Sequence, residues 1–342
     1  MSKSKHKNKV IFDANKLKYY YGIPHCHSIY STGKGTPYEL YEFAIKCGLD
    51  FLFITDHNDF LNNKTTIKDR NQSRWDATNY FANKIRKNKD DFLPIIGFES
   101  KTSSFGDFNI INPNNFFTGL IKDLRVLVLW MINNSQSFVI INHPHKEIEK
   151  LEYNEVFNKI ITSIEVYNGN PASRYTKHEK YYYYLLDAGW KLGAVNGQDN
   201  HKINFDQAEN LTAYIANDLS KDELIDAFRN RRTYSTKSRF LKLHFTIDET
   251  FMGDTLSIYS SKIKFSIFVE DIRCKINEIQ IISNGGTIIK KIEDINLNYI
   301  KYIYEHQSLD SETWYIIKII QDENKVAVSS PIFIVHLSNN YT

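Results

Sequence analysis

Two histidines one residue apart, His25 and His27 in Pro24-His25-Cys26-His27-Ser28, are the first residues of the chain suited to metal chemistry. In an extended strand, residues i and i+2 share a face. Both imidazoles therefore reach one ion, while Cys26 points the other way. Imidazole suits zinc, iron, manganese and nickel alike, so the pair does not choose the metal. A lone His-x-His is commonplace on strands, and its weight comes from the residues further along the chain. Asp56 and His57 come after the apolar run Phe51-Leu52-Phe53-Ile54. Glu99 ends Pro94-Ile95-Ile96-Gly97-Phe98, and His143 comes after Val139-Ile140-Ile141-Asn142. Asn168 ends Ile164-Glu165-Val166-Tyr167, and Asp199 and His201 lie just past Gly193-Ala194-Val195-Asn196-Gly197. Carboxylates and imidazoles at the ends of several apolar runs are hard to explain as surface chemistry and read together as donors for a metal.

These residues need strands to carry them. Segments 19–23, 51–55, 93–99, 138–142, 163–167, 191–196 and 212–216 read as strands, with helical stretches between them. Thr36-Pro37-Tyr38-Glu39 is a capping box with Pro at the first helical position. Its helix is expected to bury Leu40, Phe43, Ala44 and Cys47 and to stop at Gly48. A second helix runs from Ser220, with Glu223 three residues on, to about Arg229. Strand–helix alternation of this kind predicts an α/β fold with a parallel sheet, open or closed as a barrel. Its active site belongs at the carboxyl ends of the strands. Beyond about Ser238 only strands are expected, at 240–247, 262–270, 276–282, 287–292, 299–304, 314–320 and 325–335. Asn284-Gly285-Gly286 and Asp322-Glu323-Asn324 supply turns. That pattern predicts a small antiparallel β-sandwich. The division reads as a polar basic tail over 1–15, a catalytic unit over 16–238 and a β-sandwich over 239–342.

Together these motifs resemble the polymerase-and-histidinol-phosphatase (PHP) domain family, on His25-Cys26-His27-Ser28, Gly48-Leu49-Asp50 through Thr55-Asp56-His57-Asn58, Gly97-Phe98-Glu99, Asn142-His143-Pro144 and Asp199-Asn200-His201. Within it the chain looks most like a carbaryl-hydrolase-like branch, on Gly106-Asp107-Phe108-Asn109, Ile164-Glu165-Val166-Tyr167-Asn168-Gly169, Arg232-Thr233-Tyr234-Ser235-Thr236 and Ser329-Ser330-Pro331-Ile332-Phe333. The resemblance implies a distorted (β/α)7, TIM-like barrel with two or three divalent cations, serving phosphoester hydrolysis. It implies a first metal position at His25, His27, Glu99 and Asp199. Glu99 would bridge to a second with His143 and Asp107, and a third would use His57 and His201. Asp56, His57 and Asp199 are the candidates for the chemistry itself. Asp56 is expected either to accept a hydrogen bond from a ligand histidine or to act as a general base. The chain departs from the family pattern at Thr32, where Asp is usual, at Asp107, where His is usual, and at Asn168, where some members carry Cys.

A phosphate-bearing substrate needs cations to grip it. Lys34, Arg174 and Arg232 lie beside motifs and are the candidates, with Asn168; each is also readable as a solvated or capping residue. The net charge of +3 over 342 residues gives no basic stripe, so nucleic acid is not indicated. No apolar run has the length of a membrane span, and the lysine-rich start lacks the apolar core of a secretory signal. Three scattered cysteines, Cys26, Cys47 and Cys274, suggest no disulfide framework and fit a reducing cytoplasm. The reading is a metal-dependent hydrolase of a small phosphoester using zinc, manganese or iron. Hydrolysis of a carbamate, amide or carboxylic ester, or a degenerate PHP scaffold, are the alternatives.

Overall fold

A computed structural model describes residues 12–207 and 209–337. Most of the expected basic tail lies outside the described residues; at its end the Asp13 amide donates to Asn217 Oδ1. Nine strands make the main sheet of the first part: β1 (Lys18–Ile23), β2 (Phe51–Ile54), β3 (Leu93–Lys101), β4 (Asp107–Ile111), β5 (Phe138–Ile141), β6 (Ile161–Asn168), β7 (Gly193–Gly197), β8 (Leu211–Ala216) and β9 (Thr233–Thr236). The main helices are α1 (Pro37–Lys46), α2 (Arg74–Asn88), α3 (Leu124–Ile132), α4 (Glu179–Asp187) and α5 (Lys221–Arg229).

The capping box forms as its sequence requires. Thr36 Oγ1 accepts from the Glu39 amide, and Glu39 Oε2 accepts from the Thr36 amide at 2.7 Å. α1 buries Leu40, Tyr41 and Ala44, while Phe43 and Cys47 are half-buried. The helix ends where Gly48 takes φ +71°. Cys26 is buried on the face opposite the histidines, in the core with Leu40 and Tyr41.

The expected regular alternation is corrected in two places. β4 is an extra strand, a hairpin partner antiparallel to both β3 and β5. Its Asp and Asn positions read as loop in sequence, yet four of its five residues are buried. β9 is the second addition and lies antiparallel to β8, which is itself antiparallel to β1. Among these nine strands, only β1–β2, β2–β3, β5–β6 and β6–β7 are parallel pairs. The strand order is β7-β6-β5-β4-β3-β2-β1-β8-β9, a mixed sheet.

A ladder-closed (β/α)7 barrel is not what forms. Among the described residues β7 and β8 share no backbone pairing. Side chains bridge them instead. The Asn196 amide donates to Thr212 Oγ1 at 2.8 Å, and that hydroxyl donates to the Asn196 carbonyl at 2.9 Å. Asn196 Nδ2 also reaches the Thr236 carbonyl on β9.

After α5 the described residues contain strands and short 3₁₀ turns. β10 (Leu241–Ile247), β11 (Lys262–Asp271) and β14 (Tyr299–Gln307) make one antiparallel sheet. β12 (Ile276–Ser283), β13 (Thr287–Ile292), β15 (Trp314–Gln321) and β16 (Val326–Ser329) make the other. The second sheet is not separate, because β16 pairs with β9 and continues the central sheet. Leu243, Phe245, Phe265 and Ile267 of one sheet pack on Ile279, Ile281, Ile317 and Ile319 of the other, with Ala213, Ile215 and Tyr234 from β8 and β9. The single strand expected over 325–335 is two, β16 and β17 (Ile332–His336), broken at Pro331, which has no amide to donate to a ladder.

Candidate metal centre

The carboxyl ends of β1, β2, β3, β5 and β7 converge on one buried cluster. Three groups of donors lie with their atoms within 4.8 Å of one another: His25, His27 and Asp199; His25, Glu99 and His143; and His27, His57 and His201. Glu99 is the hub. Its Oε1 lies 3.3 Å from both His25 Nε2 and His143 Nε2. Its Oε2 lies 3.3 Å from His27 Nε2 and 3.0 Å from His57 Nδ1. Asp199 Oδ1 sits 3.4 Å from His25 Nε2 and 3.1 Å from His27 Nε2.

The supporting contacts aim these atoms. His25 Nδ1 donates to Glu165 Oε1 at 2.8 Å, which leaves Nε2 as its free donor atom. His27 Nδ1 faces Ser31 Oγ at 3.3 Å, and Ser31 donates to Asp56 Oδ1 at 2.5 Å. Ser28 binds the same carboxylate through its amide at 2.8 Å and its hydroxyl at 2.5 Å. The expected direct Asp56–histidine hydrogen bond is therefore a relay through Ser31. Asp56 is 1% exposed, with both oxygens engaged by serine groups. Asn142 Nδ2 donates to Glu99 Oε1 at 2.7 Å. His201 Nδ1 donates to the Asp199 carbonyl at 2.8 Å.

Glu165 decides the local architecture. Its second oxygen accepts from the His143 amide and from Asn168 Nδ2, each at 2.6 Å. On β7, Gly197 makes room for it: a Cβ there would lie 1.8 Å from Glu165 Oε1. His143 and Asp199 hold φ +23° and +47°, unfavourable for residues with a side chain. Strain of this kind persists where surrounding contacts impose it.

The electrostatics ask for cations. Burial alone would push His25 down, but Glu99, Glu165 and Asp199 hold it well above the ordinary imidazole value. Burial likewise opposes His27, yet Asp199 and Glu99 raise it to about 9. Against its burial, Glu99 is held well below the carboxylate range by His25, His143 and His27. Asp199 is lowered against burial by His25 and His27. Among the described residues no lysine or arginine pairs with Glu99 or Asp199, so protons on imidazoles carry the compensating charge. A divalent cation supplies that charge without the protons. Buried carboxylates, inward Nε2 atoms and carboxylate- or serine-held Nδ1 atoms fit a metal centre.

The other expected site residues divide. Asp107 lies outside the three donor groups, where burial and the Glu99 charge raise its carboxyl and His143 opposes them. Thr32 is exposed, whereas Ser31 faces the cluster. Asn168 Nδ2 is directed at Glu165, so the amide supports a support. Arg174 lines a cavity of 540 Å³ bordered by Asp199, His201 and Lys202. It also lines an adjoining one of 330 Å³ with His143, His145, Asn168 and His178. Lys34 is exposed, and its amide donates to the His201 carbonyl at 3.1 Å. Arg232 is a correction. It is buried before the first residue of β9, at the end of the sheet away from the histidines, paired with Asp226 at 2.6 Å and over the Phe12 ring. Position beside a motif did not reveal that β9 begins at the far end. Sequence reasoning gave no role to Glu165, Asn142, Ser28, Ser31 or Lys202. Glu165 had a signal, a charge inside the apolar run Ile164–Tyr167, since such a charge is rarely buried unless paired.

A two-domain protein from Bacteroides vulgatus that contains a predicted PHP-like metal-dependent phosphoesterase has a similar fold over 93% of this chain and 94% of its own, at a TM-score of 0.53 and 17% identity. An amidohydrolase from Chromobacterium violaceum matches 60% of this chain and 95% of its own, at a TM-score of 0.38 and 13% identity. An uncharacterized protein from Chlamydia muridarum is 27% identical over 175 residues, 44% of this chain and 27% of that protein. The chain thus spans about a quarter of the length of the curated relative it matches. The PHP domain model matches residues 24–227, from the residue before His25 to the last turn of α5, and so takes in every donor of the cluster: this chain belongs to the PHP domain family.

Proposed function

We propose that the chain is a metal-dependent phosphoesterase acting on a small phosphorylated molecule. The observation that supports this most is Glu99, whose two oxygens face different pairs of histidines and which has no lysine or arginine partner among the described residues. In this reading His25, His27, Glu99 and Asp199 would hold one cation, and Glu99 with His143 would hold a second. His57 and His201 offer a third, weaker position without a carboxylate of their own. When bound, divalent cations polarise a phosphoryl oxygen and make water nucleophilic at neutral pH. Glu165 and the Asp56–Ser31 relay hold His25 and His27 with Nε2 inward. Asp199, 31% exposed at the cavity edge, is better placed than Asp56 to meet substrate or exchange a proton with it. Arg174 and Lys202 offer cationic groups to a phosphate entering beside Asp199. A cavity of 540 Å³ suits a small molecule.

The test is metal analysis of the purified chain with a panel of phosphomonoester, phosphodiester, carboxylic ester and carbamate substrates. Glu99→Ala is expected to release metal and abolish phosphoester turnover. Full metal content in that variant would refute the bridging role. Turnover confined to esters or carbamates would move the substrate class to the carbonyl side while leaving the centre in place.

A further inference from the structure

The amino-terminal ends of the strands, opposite the histidine cluster, enclose a cavity of 930 Å³. Lys159, Lys191, Lys221, Arg229 and Arg231 line it, against two carboxylates. One of these, Asp226, is already bound by Arg232 at 2.6 Å and by Asn230 Nδ2 at 3.0 Å. The other, Asp222, is exposed. Lys159 is exposed and pairs with Glu155. The other four cations are half-buried. Among the described residues none of those four has a carboxylate oxygen within 4.0 Å. Three of them donate to neutral oxygens: Lys191 Nζ to Thr255 Oγ1 at 2.8 Å, Arg229 Nη1 to the Ser135 carbonyl at 2.6 Å, and Arg231 Nε to the Gly253 carbonyl at 2.9 Å.

A second cavity of 200 Å³ shares Lys221, Asn112 and Asn114 with the first and adds Arg86. Arg86 Nε is buried there with no hydrogen-bond partner. A solvated lysine costs the fold nothing, but a half-buried cation without a directly paired carboxylate does. Burial and Arg86 push the Lys221 ammonium down, with Asp222 opposing; burial and Arg231 do the same to Lys191. Cations drawn together at this cost, around a space open to a ligand, ask for an anion. Their spread over separate segments of the chain suits one with more than one charged group.

We propose that this end of the sheet is a second binding site, separate from the metal centre, for a small anion carrying two or more phosphate groups. Phosphate oxygens would take the unfilled donor positions of Lys191, Lys221 and Arg229, and the neighbouring Asn and Gln amides would bind those the cations leave free. The site would be read independently of any chemistry at the histidines, because the two lie at opposite ends of the same strands.

The test is calorimetric titration of the full chain with pyrophosphate, run in parallel on Glu99→Ala and on the double variant Lys191→Gln/Lys221→Gln. The expected result is a saturable site in the unmodified chain that persists with the same affinity in Glu99→Ala and is weakened at least about tenfold in the double variant, as loss of two charge-assisted contacts implies. Orthophosphate, which spans fewer of the cations, is expected to bind at least about tenfold more weakly than pyrophosphate. If the double variant does not fold, Arg229→Gln and Lys221→Gln taken singly are each expected to weaken binding, and Lys221→Arg to retain it. Binding that survives the lysine and arginine substitutions, binding lost in Glu99→Ala, or no saturable binding in the unmodified chain would each overturn the proposal.

Discussion

At the scale of single residues, the candidate centre depends on side chains outside the three donor groups. Glu165 orients His25, and Gly197 gives Glu165 its space. A methyl group at 197 would overlap the carboxylate whose second oxygen accepts from the His143 amide and from Asn168. Glu165 would have to move, and His25 would lose the contact that fixes its Nδ1 proton. Gly197→Ala is therefore expected to weaken metal affinity roughly 10–100-fold, the usual effect of losing a residue that orients a ligand. Metal titration of the folded variant checks this, and affinity equal to that of the unmodified chain would remove Glu165 from the account.

At the scale of elements, the seam between β7 and β8 is the weak line of the sheet. Every other neighbouring pair from β7 round to β9 is a backbone ladder, whereas here Thr212 alone answers both the amide and the carbonyl of Asn196. Both residues are buried. Thr212→Val keeps the shape and removes the hydroxyl. It leaves a buried amide and carbonyl without that partner, at a cost of about 1–3 kcal/mol. Urea unfolding of the variant measures it. Because β7 leads directly into Asp199, metal affinity is expected to fall with stability. A change below about 0.5 kcal/mol, the range of ordinary surface substitutions, would show that the seam is held by packing instead.

At the scale of the whole molecule, part of the stability expected to be lost in acid comes from the side remote from the metal centre. His244 on β10 lies between the rings of Phe251 and Phe268, with Tyr19 Oη 2.6 Å from its Nδ1. Burial, aided by Lys301, lowers it from 6.5 to about 4. The unfolded chain therefore binds a proton at this residue between those values while the folded chain does not. The stability it contributes is complete above pH 6.5 and is lost as pH falls toward 4, by up to about 3 kcal/mol. His244→Gln is expected to flatten that part of the stability–pH curve, as read by urea unfolding at neutral and acid pH. A slope identical to that of the unmodified chain would place the acid sensitivity elsewhere.

Local chemistry was legible in the chain because it depends on neighbours a few residues away. The capping box at Thr36, the stop at Gly48, the turns at Gly285 and Glu323 and the shared face of His25 and His27 all formed as the spacing required. The clustering of His, Asp and Glu side chains at strand ends was legible too, since apolar runs mark strands and polar residues mark their ends. Orientation was not. Whether β9 begins near the site or opposite it depends on two successive antiparallel pairings, and that placed Arg232 far from the histidines. The pairing of β4 between β3 and β5, the side-chain seam at Asn196 and the continuation of the sheet into β16 all join residues far apart in sequence. So does Glu165, which reaches His25 across 140 positions. A buried charge announces that it has a partner, but only the packed chain brings the two to within a hydrogen bond.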